Sequence, residues 1–364
     1  MKKLNKRLMN ALGVSVALIM SGHSYAELIN QGAAQNSVAW SSEDAGQLLN
    51  DDIDTYSPKG SVTVSTSVRS SVPEPSPKGS VTVSTNVRSG STPAPKTPVT
   101  PRSTPIYDTA NVSNQPSVNS RAALVMDANT GEVLYSKNVN SALPIASITK
   151  LMTAVVTADA RLNMNEKITL QQGDFSCSGC KSSSSTLRVG DSMNRAEALL
   201  VALMKSENPA ASALARTYPG GRSAFYAAMN KKARELGMNS THYMESTGLH
   251  PGNVSSARDL GILVNAASQY SLIRQFSTTP SYDFNLGYRV LKSNNTNALV
   301  RNGGWNINIS KTGFINEAGR CVVMHTTLNN RPMVVVLLGA ESSQARTNDA
   351  TRLMNWVMNS PKSV

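Results

Sequence analysis

The sequence predicts an α+β fold in which strands from both ends of one domain share an antiparallel sheet. Segments of strand length and strand-like composition occur at residues 122–126 and 132–135, and again at 305–314, 320–326 and 331–338. The segments between these two groups have helical patterns. Strands that precede and follow a run of helices are typical of one sheet built from both ends of a domain, so the helices should pack against it.

The helical elements follow from the apolar pattern. Residues 148–156 are apolar nearly all round, which predicts a helix buried in the core. Further helices are predicted at 195–203, 210–217, 223–236 and 258–267. Ser256 lies three residues before Asp259 and is placed to cap the last of these helices.

The end of the chain is predicted to complete the sheet. Asn329 and Asn330 fit a tight turn between the last two strands. A final helix is expected at 347–358, with Leu353, Trp356 and Val357 on the side that covers the sheet.

Residues 1–26 are predicted to be a signal peptide. A basic start is followed by an apolar stretch at 11–20 and by a small-x-small sequence that ends at Ala26. We expect cleavage near Ala26 and a mature protein in the periplasm, with an uncleaved anchor as the alternative. No apolar run reaches the roughly 18 residues of a spanning helix, so the mature chain should have no integral membrane segment.

Residues 27–117 are predicted to be a disordered linker. The stretch 57–105 contains 12 Ser, 8 Thr and 9 Pro and no aromatic residue, too little apolar surface to offset its ordering entropy. The ten residues at 57–66 recur at 76–85, a period of 19 residues. Two copies are too few for a solenoid, so we interpret them as a spacer, with an envelope-binding module as the alternative. The globular domain is predicted at 118–364.

The distribution of charge along the chain indicates the chemical class of the partner. Residues 27–117 hold 6 Lys and Arg against 8 Asp and Glu, whereas residues 118–364 hold 25 against 15, about +10. A basic exported domain suits an anionic partner. No basic helix or aromatic strip of a nucleic-acid-binding fold occurs, so no nucleic acid is expected and envelope polymers rich in carboxylates are favoured.

Three short motifs provide the candidate chemistry. They are Ser147-x-x-Lys150 at the start of the buried helix, Ser206-x-Asn208, and Lys311-Thr312-Gly313 on a predicted strand. Each is weak alone, since such residues are ordinary at helix caps and in strands. In this order and spacing they form the motif set of penicillin-binding proteins and class A β-lactamases.

The first motif suits a serine nucleophile without histidine. Serine and lysine three apart lie on one face of a helix, so Lys150 can take the proton of Ser147. Lowering a lysine pKa from about 10.4 towards 7 requires roughly 4–5 kcal/mol. Burial and a second nearby cation supply that penalty.

The other two motifs suit substrate binding. The hydroxyl of Ser206 could relay a proton, and the carboxamide of Asn208 could hold a substrate amide. Lys311 and Thr312 suit a substrate carboxylate, and Gly313 would let a ligand strand approach the backbone.

The wider sequence resembles the D-alanyl-D-alanine peptidase family of low-molecular-mass penicillin-binding proteins. The match runs from about residue 121 to 338 and includes 127–131, 143–153, 246–249 and 256–260 around the motifs. Residues 311–314 and 318–324 look most like the penicillin-binding protein 7 type of endopeptidase. The resemblance implies a β-lactamase/transpeptidase-like fold with a helical subdomain, and an active site between that subdomain and the sheet. It implies no cofactor and no metal.

The resemblance also implies a role for each motif residue. Ser147 would be acylated by the penultimate D-alanine carbonyl, Lys150 would take its proton, and Ser206 would pass a proton to the leaving amine. The implied substrate-binding residues are Asn208, Lys311, Thr312, Gly313 and Phe314, with the backbone N–H groups of Ser147 and Phe314 facing the oxyanion. Glu207 stands where Gly or Asp is common in relatives, a mild departure.

The implied partners are peptidoglycan, as crosslinked muropeptides, and β-lactam antibiotics as covalent inhibitors. We expect a D-alanyl-D-alanine endopeptidase that cuts existing crosslinks. The chain ends about 50 residues after Lys311, without the β-rich domain and amphipathic anchor of the penicillin-binding protein 5 type. A D,D-carboxypeptidase, a β-lactamase and a non-catalytic wall-binding protein remain the alternatives.

Rival chemistries have weaker support. His250 is interpreted as a loop residue and His325 as structural, and no G-x-S-x-G elbow occurs. Glu235, the one superficial candidate for a β-lactamase base, lies in a basic helical run and is interpreted as a surface residue. Cys177 and Cys180 lack a neighbouring His for zinc, so we expect a local disulfide, with Cys321 left as a buried thiol.

Overall fold

We describe residues 115–360 from a computed structural model of the protein. The predicted signal peptide and all but the last three residues of the predicted linker lie outside the described residues. Within residues 115–360, no helix is both long and apolar enough to cross a membrane.

Eleven strands and eight α-helices make up the described part of the chain. The strands are β1 (Ala122–Asp127), β2 (Val133–Lys137), β3 (Leu143–Pro144), β4 (Lys167–Thr169), β5 (Ser192–Asn194), β6 (Val254–Ser255), β7 (Ser281–Asn285), β8 (Val290–Asn294), β9 (Ile307–Ile315), β10 (Gly319–Leu328) and β11 (Arg331–Ala340). The helices are α1 (Thr149–Asp159), α2 (Arg195–Met204), α3 (Asn208–Arg216), α4 (Gly221–Glu235), α5 (Ala257–Ala267), α6 (Ser271–Thr278), α7 (Ala298–Asn302) and α8 (Ser343–Asn359).

The central sheet joins the two ends of the domain, as the sequence predicts. Its order is β2-β1-β11-β10-β9, and β1 pairs antiparallel with β11 from Ala122–Leu338 to Asp127–Met333. The turn between β10 and β11 confirms the predicted tight turn, because Asn329 and Asn330 both have positive φ, 50° and 62°. β9 forms one edge of the sheet and lies towards the helices.

Alternation along the strands separates two apolar layers. Ala122 and Leu124 of β1 belong to the larger core, which also holds the apolar residues of α1, α2 and α3. Ala123 and Val125 point to the opposite face, where Leu353 and Val357 of α8 complete a second core. The period-2 pattern of a strand buried on both faces thus places helices on both sides of the sheet.

The predicted helices are all present, with small differences at their ends. α8 begins four residues before the predicted start because the Ser342 hydroxyl caps it, accepting from the Ala345 N–H at 3.0 Å. The Ser256 cap on α5 is confirmed, since its side chain accepts from the Asp259 N–H at 3.1 Å. β9 starts at Ile307 rather than at Trp305.

The elements between α5 and β9 were not predicted. This region contains α6, the hairpin of β7 and β8, and α7. The hairpin strands alternate exposed and buried residues over only five positions each, a weak signal beside the polar turns around them. α6 matters for the site because it packs against β9, where the Ser277 hydroxyl accepts from the Ser310 N–H at 3.3 Å.

We predict that Leu353→Ala costs about 2–5 kcal/mol of unfolding free energy, because Leu353 is fully buried between α8 and the sheet. Met358→Ala, on the same helix but 44% exposed, should change it by no more than about 0.5 kcal/mol. Urea unfolding followed by circular dichroism measures both. Equal losses in the two variants would contradict the assignment of α8 as the cover of this face.

Candidate active site

Ser147 lies in a short 3₁₀ turn, Ala146–Ile148, that leads directly into α1. Ala146 has φ +48°, a left-handed conformation that costs an L-residue roughly 1–2 kcal/mol. Its neighbours Ile145 and Ile148 are fully buried, so the turn is anchored in the core while Ser147 stays partly exposed. The strained turn therefore fixes where the Ser147 hydroxyl points.

Lys150 is the centre of the site. It is the second residue of α1 and is 1% exposed. Its Nζ donates to Ser147 Oγ at 2.9 Å, to Asn208 Oδ1 at 2.6 Å and to the Thr247 carbonyl at 2.7 Å. Burial lowers the pKa of Lys150 to about 7, against the opposing charges of Glu245 and Glu207. The lysine can therefore exist as a neutral amine near neutral pH.

Ser206 and Asn208 lie in the connection between α2 and α3. Ser206 has φ +67°, the second non-glycine residue of the site in a left-handed conformation. Its Oγ accepts from Lys311 Nζ at 2.8 Å. Asn208 binds Lys150 with its oxygen, and its Nδ2 donates to Ser183 Oγ at 2.8 Å. Asn208 thus contacts the lysine that contacts Ser147, and Ser206 contacts the lysine of the third motif.

Lys311 is the second buried lysine of the site. It lies on β9, 1% exposed, and also donates to the Thr312 carbonyl at 2.9 Å. Burial and the nearby charges of Lys150 and Arg346 hold the pKa of Lys311 well below its ordinary value. The Thr312 hydroxyl donates to Thr296 Oγ1 at 2.7 Å. The structure thus brings all three motifs together, since Lys150 links the first motif to the second and Lys311 links the third to the second.

Two glycines are required by close backbone approach. A Cβ on Gly313 would lie 2.9 Å from the Ile145 carbonyl oxygen and 3.1 Å from the Ser147 nitrogen. This glycine lets β9 pack against the chain that carries Ser147, a reason that differs from the predicted approach of a ligand strand. A Cβ on Gly248, φ +85°, would lie 2.0 Å from the Ala146 carbonyl oxygen.

A group of arginines next to β9 was missed by sequence reasoning. Arg320 of β10 stacks its guanidinium 3.6 Å from the ring centroid of Phe314, which is 44% exposed. Arg346 is buried, and its pKa is lowered by burial and by repulsion from Arg320 and Arg301. None of the three arginines forms a salt bridge to another described residue. The three arginines are separated in the sequence, so only their proximity in the folded protein identifies them as a group.

Two buried carboxylates were also missed as site residues. Glu207, treated in the sequence as a mild departure, is 5% exposed and accepts from Ser185 Oγ at 2.5 Å and from the hydroxyl and N–H of Thr186. It fastens the 183–187 segment beside Asn208. Glu245 is 3% exposed and binds the turn at 247–248 from inside. A glutamate in a polar turn gives no sequence signal of burial.

The residues considered for other kinds of catalysis lie away from Ser147 or have structural partners. Glu235 lies on the surface of α4 and pairs with Lys231 at 2.6 Å. His250 Nδ1 accepts from the Gly252 N–H at 2.9 Å within a loop, and His325 is buried in β10. The predicted Cys177–Cys180 disulfide is present. Cys321 is a buried thiol whose pKa burial raises to about 11.

Comparisons with known proteins identify the class. Residues 109–342 match the Peptidase S11 family, described as D-alanyl-D-alanine carboxypeptidase. A D-alanyl-D-alanine endopeptidase of Pseudomonas aeruginosa is 47% identical over 255 residues, 68% of this chain and 80% of that protein. Another from Escherichia coli K12 is 44% identical over 263 residues, 71% of this chain and 84% of that protein.

Solved structures agree on the fold. A DD-transpeptidase of Streptomyces K15 has a TM-score of 0.61 at 30% identity and covers 66% of this chain and 98% of its own. Penicillin-binding protein D2 of Listeria monocytogenes, solved in a cefotaxime-bound form, has a TM-score of 0.59 at 27% identity, with 66% and 98% covered.

The chain therefore belongs to the Peptidase S11 family of serine D-Ala-D-Ala peptidases. The predicted β-lactamase/transpeptidase-like α+β fold is confirmed. Within the family the chain is similar to proteins named D-alanyl-D-alanine endopeptidase, as the resemblance to the penicillin-binding protein 7 type predicted.

We predict that Gly248→Ala destabilises the protein more than Gly287→Ala does. Both glycines have φ +85°, so backbone strain of roughly 1–2 kcal/mol is common to the two variants. A Cβ at Gly287 meets nothing within 4 Å, whereas a Cβ at Gly248 meets the peptide group before Ser147. Thermal unfolding should show the larger loss at Gly248. Equal shifts of Tm would mean that the 246–248 turn does not bear on the nucleophile's backbone.

Proposed function

We propose that this protein is an exported serine-type D-alanyl-D-alanine endopeptidase that hydrolyses peptide crosslinks in peptidoglycan through an acyl-enzyme at Ser147. The observation that carries the proposal is the 2.9 Å contact between Ser147 Oγ and the buried Lys150 Nζ, a lysine with a pKa of about 7. A serine hydroxyl beside a neutral, buried amine is an activated nucleophile that needs neither histidine nor metal ligands from the protein.

Acylation follows from this pair. The neutral amine of Lys150 takes the Ser147 proton as Oγ attacks the penultimate D-alanine carbonyl of the donor stem. Ser206, which Lys311 contacts at 2.8 Å, relays to the leaving amine the proton that Lys150 took, and the C–N bond breaks with Lys150 neutral and Ser206 protonated again. A water molecule then hydrolyses the ester and frees Ser147. Asn208, held by Lys150 and Ser183, supports the substrate backbone beside the cleft.

The oxyanion would lie between the N–H groups of Ser147 and Phe314. The close approach of Gly313 to the Ser147 nitrogen supports this assignment, because it brings the two stretches of backbone side by side. Donors of this kind act on charge that develops in the transition state, and one is typically worth about 3 kcal/mol.

The positive charge next to β9 supports the endopeptidase assignment over the carboxypeptidase alternative. Lys311, Thr312 and buried Arg346 suit the carboxylate beside the scissile bond. Arg320, on the exposed ring of Phe314, adds a further cation without an acidic partner among the described residues. Released D-alanine carries one carboxylate, whereas the amine released from a D-alanyl–diaminopimelate crosslink belongs to a peptide with at least two. A site with more than one basic side chain therefore suits the peptide released from a crosslink better than it suits free D-alanine.

The segments before the peptidase domain, and the charge of that domain, suit an exported enzyme that acts on the cell wall. A signal peptide at residues 1–26 would direct export to the periplasm, where the wall substrate lies, and would be cleaved near Ala26. The 27–117 segment would act as a spacer between the mature N-terminus and the peptidase domain. The basic character of residues 118–364, 25 Lys and Arg against 15 Asp and Glu, suits a polymer rich in carboxylates.

We predict that a β-lactam adds its mass once to the protein, at Ser147, and that Lys150→Ala abolishes this acylation because no other base contacts Ser147 Oγ in the described structure. Lys231→Ala, which removes an exposed surface lysine, is the matched control and should be acylated at the wild-type rate. Intact-mass and peptide mass spectrometry measure both. An unmodified Ser147 under saturating reagent would exclude the nucleophile and favour a non-catalytic wall-binding protein.

We predict that the protein cleaves crosslinked muropeptide dimers and releases little D-alanine from pentapeptides. Arg320→Gln should lower kcat/KM for dimers about tenfold, the worth of one charged contact, and leave β-lactam acylation unchanged. Arg352→Gln, at an exposed position of α8 where the guanidinium donates to the Ser117 carbonyl, is the control. Chromatography of the products gives the two rates. Fast D-alanine release with intact dimers would assign a carboxypeptidase instead.

A further inference from the structure

The turn at 246–248 contacts several of the segments that surround the nucleophile. The Thr247 carbonyl accepts from Lys150 Nζ at 2.7 Å, and the Ser246 carbonyl accepts from the Thr153 hydroxyl of α1 at 2.7 Å. Gly248 lies against the Ala146–Ser147 peptide group. The Ser246 hydroxyl donates to the Ala211 carbonyl of α3, the helix that begins with Asn208, at 3.0 Å. The turn therefore contacts both catalytic partners and ties α1 to α3.

Glu245 holds this turn from within. Its carboxylate accepts from the N–H groups of Thr247, Gly248 at 2.6 Å and His250 at 3.3 Å, and from Asn253 Nδ2 at 3.1 Å. It is 3% exposed and forms no salt bridge within the described part of the chain. Burying a carboxylate without a paired cation is costly, and these donors offset that cost.

We propose that Glu245 is a positioning residue of the active site, whose buried carboxylate holds the 246–248 turn and through it aligns Lys150 with Ser147. The inference rests on the proposed function, since it assigns a purpose to a residue outside the three motifs. Glu245 touches neither Ser147 nor a substrate, so its effect is transmitted through the Thr247 carbonyl and through the packing of Gly248.

The charge of Glu245 also acts on Lys150 across the turn. Burial lowers the pKa of Lys150, and Glu245 is the largest opposing influence, followed by Glu207. The other titratable groups that interact with this pair are Lys311 and Tyr226. His250 contacts Glu245 through its backbone N–H, and the Cys177 and Cys180 sulfurs lie within 4.8 Å of the Glu245 carboxylate. Because the protonated lysine cannot accept the Ser147 proton, acylation should rise with pH through the pKa of Lys150. This rise is the acid limb of the pH–rate profile. Removing the Glu245 charge should move the acid limb to lower pH.

The test measures β-lactam acylation of the full chain against pH in Glu245→Gln, Glu245→Asp and Asp259→Asn. Asp259 is the matched control, since it is also buried, binds the Ser240 N–H and the Thr241 hydroxyl, and does not contact the 246–248 turn. We expect Glu245→Gln to be acylated about 10- to 100-fold more slowly at its plateau, the usual cost of a misplaced catalytic pair, with its acid limb displaced to lower pH. Glu245→Asp should keep the wild-type limb with a reduced plateau.

The outcomes separate the inference from the proposed function. Absence of acylation in the unmodified chain would refute the proposed function, whatever Glu245 does. With acylation intact, wild-type plateau and limb in Glu245→Gln would overturn the positioning role. A slower plateau with an unmoved limb, matched by Asp259→Asn, would also overturn it, because general destabilisation then explains the loss. If Glu245→Gln does not fold, Glu245→Asp decides alone: a plateau equal to that of the unmodified chain refutes the role.

Discussion

The burial of the Lys150 amine is the constraint on which the rest of the site depends. A buried ammonium group loses its hydrogen bonds to water. At this position three protein hydrogen-bond acceptors replace them, and no carboxylate among the described residues contacts the amine. These acceptors come from the 3₁₀ turn, from the start of α3 and from the 246–248 turn. Three segments distant in sequence must therefore meet within hydrogen-bond distance of one nitrogen. The alanine-rich α3, whose Ala210, Ala211, Ala213 and Ala215 are fully buried, lets the helices approach closely enough for this.

The two buried lysines show how environment separates roles within one cleft. Lys150 lies on the side where Glu207 and Glu245 oppose the effect of burial, so its pKa of about 7 allows both protonation states near neutrality. Lys311 lies on the side of Arg346, where neighbouring charge adds to the effect of burial. Groups of one type with environments that differ in this way are suited to different tasks. The carboxylate side favours proton exchange, and the arginine side favours an arriving anion.

The sequence could predict the parts of the site that depend on local spacing. The i, i+3 relation of Ser147 and Lys150 is a property of one helix, and strand-like segments at both ends of the domain, with helices between them, predict a shared sheet. Glu245, Arg320 and Arg346 belong to the site only through the way their segments pack against the motif residues, and single residues in turns, strands or helix starts give no sign of such packing. The region from Ser271 to Asn302 was missed for a related reason, because its elements are short and its apolar residues few. Gly313 was predicted as a site residue. A glycine is needed there because the strand packs against the backbone at Ser147, rather than because a ligand approaches it.

Strain at the site is maintained by this same packing. Ala146 and Ser206 adopt left-handed backbone at φ +48° and +67°, one directly before the nucleophile and the other at the hydroxyl that Lys311 contacts. Such conformations persist only where surrounding structure outweighs their cost. Gly248 and Gly313 press on the chain around Ala146 from two sides, and neither could carry a side chain there without displacing it. Ser206 is held between the end of α2 and the Nζ of Lys311. The nucleophile and the group proposed to protonate the leaving amine are therefore fixed before substrate arrives, so the energy that orders them is supplied by folding rather than by binding.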